Sequence, residues 1–180
     1  VVLAAKTSLQ EGQQKLQSQH AHGSPGIQVC AKLTDLADTV VGVLFTEAIS
    51  DLAQLDQQTF GDLEDQVALV AHGGYGRREL APFSDIDLMI LHRTAVTEHV
   101  SVLAERLLRD LSDTGLIVGH SLRTTRQALA LSLEDPHILT SLIESRHVCG
   151  NVELTQRLLG RLRKLTHRHA RGLLPVIDDA

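Results

Sequence analysis

Two pairs of residues in the stretch HGGYGRRELAPFSDIDLMILH, residues 72–92, could do chemistry together: Gly73 with Gly74, and Asp85 with Asp87. Aspartate is a poor strand former and costly to bury unpaired, so two carboxylates inside the apolar run DIDLMIL call for a compensating partner. Alternate side chains of a strand share a face, which sets Asp85 and Asp87 side by side and sends Ile86 into the opposite layer. Neighbouring carboxylates repel unless a cation lies between them. Mg²⁺, or Mn²⁺ in its place, suits such hard oxygen ligands and shares its shell with substrate phosphates. Gly73 and Gly74 lack Cβ atoms, so their backbone can approach a phosphate closely while the following N–H groups donate to it. Together the two halves describe a site for a metal-chelated nucleoside triphosphate. Alone, a Gly-Gly pair is commonly a turn and an Asp-x-Asp a solvated edge; their order and the apolar setting of the aspartates make the difference. No Gly-Lys-Ser/Thr follows the glycines, so this is not a Walker loop, nor is it a dinucleotide fingerprint.

Such a site needs two strands meeting at a turn. QVALVAH, residues 66–72, is short, rich in strand formers and closed by the glycines; DIDLMILH, residues 85–92, is the next strand. Between them GGYGRREL reads as a tight turn into one helical turn, broken by Pro82. GLIVGHSLRT, residues 115–124, reads as a third strand. Upstream, a polar, Gln-rich helix ends near GSPG, and helical spacing of Leu33, Leu36, Val40, Val43, Leu44 and Ala48 predicts a second helix from Ala31 to Leu55. Helical periodicity resumes over residues 98–112, and three apolar-faced helices are predicted at 125–133, 136–149 and 152–169. The expected fold is α/β, or α+β: a small mixed sheet flanked by helices, with further helices at both ends. The expected organisation is an N-terminal helix and linker over residues 1–30, a core over 31–150, and a C-terminal helix over 151–180 leading toward a further domain.

The composition narrows the partners. The chain has 180 residues, 43% of them hydrophobic and 22% charged, enough for one domain with a real core. The net charge is −5 and the aromatics are Tyr75 and three Phe, so both the basic footprint and the stacking platforms of a nucleic-acid binder are missing. No transmembrane run or signal peptide is expected. Cys30 and Cys149 lack metal-ligand spacing, which favours reduced thiols in a cytoplasmic protein. The first residue is Val, and the sequence reads as a fragment of a longer polypeptide.

The order Gly-Gly, spacer, Asp-x-Asp resembles the signature of the DNA polymerase β-like nucleotidyltransferases, and GGYGRRELAPFSDIDLMIL resembles the catalytic stretch of bacterial PII uridylyltransferases. GLIVGHSLRT, EDPHILTSLIESRHVCG and the upstream LTDLADTVVGVLF are similar to further segments of that family. The resemblance implies transfer of UMP from UTP to a tyrosine hydroxyl of the PII signalling protein, with release of pyrophosphate. It implies metal-binding, catalytic roles for Asp85 and Asp87, and triphosphate binding at Gly73 and Gly74. Superfamily members commonly carry a third carboxylate on the next core strand, where this chain has His120, Ser121 and Arg123. Glu144 is the candidate replacement, with an ion pair to Arg146 as its alternative role.

Other positions remain open on sequence grounds. Arg77 and Arg78 could neutralise β and γ phosphates or form an exposed basic turn. Ser84 could bond a phosphate or close the Pro82 turn. His72 and His92 read as packing or surface positions. The basic stretch RLRKLTHRHARG, residues 161–172, reads as a solvated helix face or a link toward a following domain. The resemblance implies that UMP removal belongs to a separate metal-dependent hydrolase domain; this chain has no His-Asp dipeptide, so that activity is expected, if anywhere, outside it. The competing functions are an adenylyltransferase of the same fold and an inactive nucleotide-binding module.

Overall fold

A computed structural model describes residues 1–93 and 97–178. Helix α1 (Val2–Ala21) is followed by the long α2 (Gly26–Leu55), two single-turn helices α3 (Gln57–Phe60) and α4 (Leu63–Gln66), and strand β1 (Val67–Ala71). The short turn of helix α5 (Gly73–Gly76) leads through a loop to β2 (Ile86–His92). Then come α6 (Thr97–Thr114), β3 (Val118–Thr124), α7 (Thr125–Glu134), α8 (Pro136–Ile143), β4 (Arg146–Gly150) and α9 (Val152–Asp178).

The described residues form a four-stranded mixed sheet in the order β3-β2-β1-β4. β1 is antiparallel to both β2 and β4, whereas β2 and β3 run parallel. Parallel neighbours need a crossover, and α6 supplies it. Every residue of β1 is buried, because helices cover both faces of the sheet. On one face Val67, Leu69, Ala71, Ile86, Leu88 and Ile90 pack with the apolar stripes of α2 and α6. On the other, Ala68, Val70, Met89 and Leu91 pack with residues of α7, α8 and α9. The alternation read from DIDLMIL is therefore a division between two cores, and Asp87 shares the parity of Met89 and Leu91.

Three elements differ from the sequence reading. The second helix starts at Gly26, directly after Pro25, so the boundary expected at residue 30 falls inside α2. α1 buries Ala5, Leu9 and Leu16 in the same cluster as β1 and β2. The helix expected over 136–149 stops at Ile143, and residues 146–150 form an edge strand paired with β1. No Gly or Pro separates the two, so local sequence gave no stop signal; the strand exists because β1 offers it a partner. The backbone of the basic stretch at residues 161–172 lies within α9, but the side chains from residue 168 onward, like residues 179–180, lie outside the described structure.

A buried polar cluster pins the glycine turn to the scaffold. Tyr75, 1% exposed, donates its hydroxyl to Asp38 Oδ1 of α2 at 2.6 Å. Arg146, at the start of β4, donates through Nη1 to Asp38 Oδ2 at 2.7 Å and through Nη2 to Asp38 Oδ1 at 3.0 Å. The same guanidinium lies over the Tyr75 ring, 5.3 Å from its centroid. One carboxylate thus joins α2, α5 and β4, and removing it leaves a half-buried guanidinium uncompensated. Asp38→Ala is expected to cost about 1–3 kcal/mol and Tyr75→Phe about 1 kcal/mol, measured by urea unfolding; equal costs would refute the central role of Asp38.

Candidate active site

β1 ends at Ala71, and the chain turns at Gly73 with φ of 59°, a left-handed conformation that a side chain resists. A Cβ at Gly73 would stand 2.9 Å from Asp87 Oδ2. The glycine turn therefore packs directly against the carboxylate, as the motif requires. Arg78 and Phe83, both at positive φ, bend the following loop back into β2. Asp85 lies exposed one residue before β2, and Asp87 lies half-buried in its second position.

Gly119 completes the carboxylate pocket. It is level with Asp87 in the parallel register, and a Cβ there would lie 2.7 Å from Asp87 Oδ1 and 3.8 Å from Asp85 Oδ2. The two carboxylates thus gather at one point, in the space that a glycine on β3 leaves open. Burial raises the Asp87 carboxyl above its ordinary value; the nearby His72 opposes this, and the charge of Asp85 adds to it. A half-buried carboxylate with an exposed one beside it fits a divalent cation of the Mg²⁺ kind, which takes one or two carboxylates and completes its shell with water and phosphate. Among the described residues, no group of three or more His, Cys, Asp or Glu gathers as a metal cluster.

Beside Asp87 a cleft of about 410 Å³ opens between the sheet and α8. His72, Met89, Ser121, Arg123 and Ser141 line it. His72 Nδ1 and Ser141 Oγ are hydrogen-bonded at 2.8 Å, tying the end of β1 to α8. Burial holds His72 below the usual imidazole range, with Asp87 pulling its value up and Arg123 pushing it down. α8 is set by Asp135, which caps it by accepting from His137 N at 2.8 Å.

The sequence candidates divide. Gly73 packs against Asp87, which lines the cleft, and Asp85 stands near Gly119 beside it, whereas Gly74 faces Glu79 and Arg77. Arg77 instead donates to Glu79 at 2.7 Å and to Glu144 at 2.6 Å, and Arg78 pairs with Asp35. Glu144 therefore faces Arg77, not Arg146, because β4 begins at Arg146 and carries it to Asp38 of α2. Ser84 donates its hydroxyl to Ala81 O at 3.0 Å and closes the Pro82 turn. His92 is buried, with Nδ1 2.9 Å from Arg93 O. His72 and Arg123, which sequence reasoning did not assign to the site, line the cleft. The one signal for them is parity on paired strands, readable only once the register is known.

Residues 15–113 match a family model described as GlnE, glutamate-ammonia ligase adenylyltransferase. The chain belongs to this family of nucleotidyltransferases. Relatives named bifunctional uridylyltransferase/uridylyl-removing enzyme are similar over a longer stretch. That of Phenylobacterium zucineum is 36% identical over 159 residues, which is 88% of this chain and 17% of the relative. That of Azospirillum brasilense is 34% identical over 161 residues, 89% of this chain and 17% of the relative. That of Pseudomonas putida is 46% identical over 104 residues, 58% of this chain and 11% of the relative. The resemblance to bacterial uridylyltransferases read from the central motif is thereby borne out, and the chain spans about a sixth of the length of the Phenylobacterium and Azospirillum relatives.

Two stability effects follow from the burial of Asp87 and His72. Asp87→Asn removes a charge that burial disfavours, so the metal-free variant is expected to melt roughly 1–3 °C higher than the parent at pH 7 in scanning calorimetry; a lower melting point would show that the carboxylate is already satisfied. His72 acts with the opposite sign. Its folded value lies below 6.5, so the stability of its neutral form is full above pH 6.5 and is lost as pH falls below that value. His72→Gln should flatten this acid-side loss, read as the melting point between pH 7 and 5.

Proposed function

We propose that this chain is the transferase unit of a uridylyltransferase, moving UMP from UTP to a tyrosine hydroxyl of a PII signalling protein. The observation that carries the reading is the contact of Gly73 with the Asp87 carboxylate, which lines a nucleotide-sized cleft, with Asp85 beside it at Gly119. The acceptor oxygen forms a bond to the α-phosphorus as the bond to pyrophosphate breaks, and the protein's task is chiefly positioning and charge compensation. Asp85 and Asp87 would hold Mg²⁺ or Mn²⁺, whose contribution is to neutralise phosphate charge. The backbone of Gly73 and Gly74 offers the phosphates close approach without side-chain obstruction. The names of the relatives support uridylyl transfer. The free thiols of Cys30 and Cys149 suit a cytoplasmic setting, and no described helix is long and apolar enough to cross a membrane.

A second reading has its own support: the matching family model is described as an adenylyltransferase, and the carboxylate and glycine geometry serves either base. Titration calorimetry of UTP and ATP into the chain, with and without Mg²⁺, separates the two. The expected result is Mg²⁺-dependent UTP binding at least ~10-fold tighter than ATP, lost in the Asp85→Asn, Asp87→Asn double variant. Preference for ATP would favour adenylyl transfer. Radiolabel transfer from UTP to a PII protein then tests the acceptor, and its absence in the presence of tight UTP binding would point to a different acceptor.

A further inference from the structure

The arginines around the glycine turn are neutralised within the fold. Arg77 is held by Glu79 and Glu144, Arg78 by Asp35, and Arg146 by Asp38. Arg123 differs: it lines the cleft, it is partly buried, and among the described residues it has neither hydrogen bond nor ion pair. A guanidinium withdrawn from bulk water without a counter-charge is unfavourable unless a ligand supplies one.

Its placement suits such a ligand. Arg123 is level with Leu91, and Gly119 with Asp87, so Arg123 lies on the Asp87 face of the sheet, about 13 Å along β3 from the carboxylates. His72, which bonds to the backbone of Asp87 and lines the same cleft, feels the charges of both Asp87 and Arg123. The cleft therefore carries a cation-binding end and an anion-binding wall, joined by the apolar Met89.

We propose that Arg123 is the phosphate-binding arginine of this cleft, pairing through its guanidinium with the β- and γ-phosphate oxygens that leave as pyrophosphate. This rests on the nucleotidyl-transfer reading and transfers to Arg123 the role that sequence proximity suggested for Arg77. A guanidinium fork matches phosphate oxygens bidentately, and its fixed charge offsets the negative charge that grows on a departing pyrophosphate. Arg77 could serve only by giving up two carboxylate partners, whereas Arg123 gives up none.

The test is titration calorimetry of UTP, UMP and inorganic pyrophosphate, each with Mg²⁺, into the 180-residue chain and its Arg123→Gln and Arg123→Lys variants. Loss of a charge-assisted pair predicts UTP and pyrophosphate binding about 10–100-fold weaker in Arg123→Gln, with UMP binding unchanged. Arg123→Lys, which keeps the charge without the fork, should recover part of the loss, and its recovery shows that the site is folded. Equal weakening of UMP and UTP would mean that Arg123 meets the base or ribose, and would overturn the proposal. So would unchanged UTP and pyrophosphate affinity in Arg123→Gln, or absence of pyrophosphate binding by every form. Arg123-dependent pyrophosphate binding without nucleotide binding would uphold the anion site while refuting nucleotidyl transfer. Equal UTP affinity in parent and Arg123→Gln would do the reverse.

Discussion

The placement of the Asp87 carboxylate inside an apolar strand is the constraint on which the rest of the site depends. Ile86 and Leu88 on either side of it are buried in one core, while Met89 and Leu91 are buried in the other. The carboxylate cannot leave this environment without pulling β2 out of register, because a one-residue slip exchanges the two faces. Space is made for it instead. Gly73 from one side and Gly119 from the other stand where a Cβ would press on its two oxygens. Asp85 adds like charge, which together with burial disfavours the ionised Asp87 carboxylate unless a cation offsets it.

The remaining architecture holds that arrangement still. α2 reaches across to the glycine turn through Asp38, which is shared by Tyr75 and Arg146, so the first turn after β1 cannot drift from the edge strand β4. α8 is drawn to the end of β1 by Ser141 and His72, and this contact walls the cleft. Side chains with charge near the turn fall into two kinds. Those of Arg77, Arg78 and Arg146 are spent on internal ion pairs, the first two exposed and of little energetic consequence, the third half-buried and structural. Among the described residues Asp85, Asp87 and Arg123 have no ion-pair partner, and a metal-chelated phosphate chain would carry the complementary pattern.

Much of this was legible in sequence because it is local. The Gly-Gly turn, the Asp-x-Asp spacing and the alternation of DIDLMIL depend on neighbours a few residues away, and they correctly paired the turn with the carboxylates. β4 was not legible: RHVCG follows the apolar face of α8 without a breaker, is only half-buried, and becomes a strand by pairing with β1, nearly eighty residues earlier. The alternative ion pair of Glu144 with Arg146 did not form for the same reason: β4 carries Arg146 to Asp38, and Glu144 meets Arg77.

The sequence by itself determined how the glycine turn meets the aspartates, because the conformational freedom of Gly73 and the shared face of Asp85 and Asp87 are properties of short segments. Tertiary structure decided which cations are free to act. Arg77 lies beside the glycines in sequence but meets Glu144 from a distant helix end, whereas Arg123 is remote in sequence and reaches the cleft through the parallel pairing of β3 with β2. Charge compensation acts through space, and a sequence does not state which carboxylate the folded chain brings to which guanidinium.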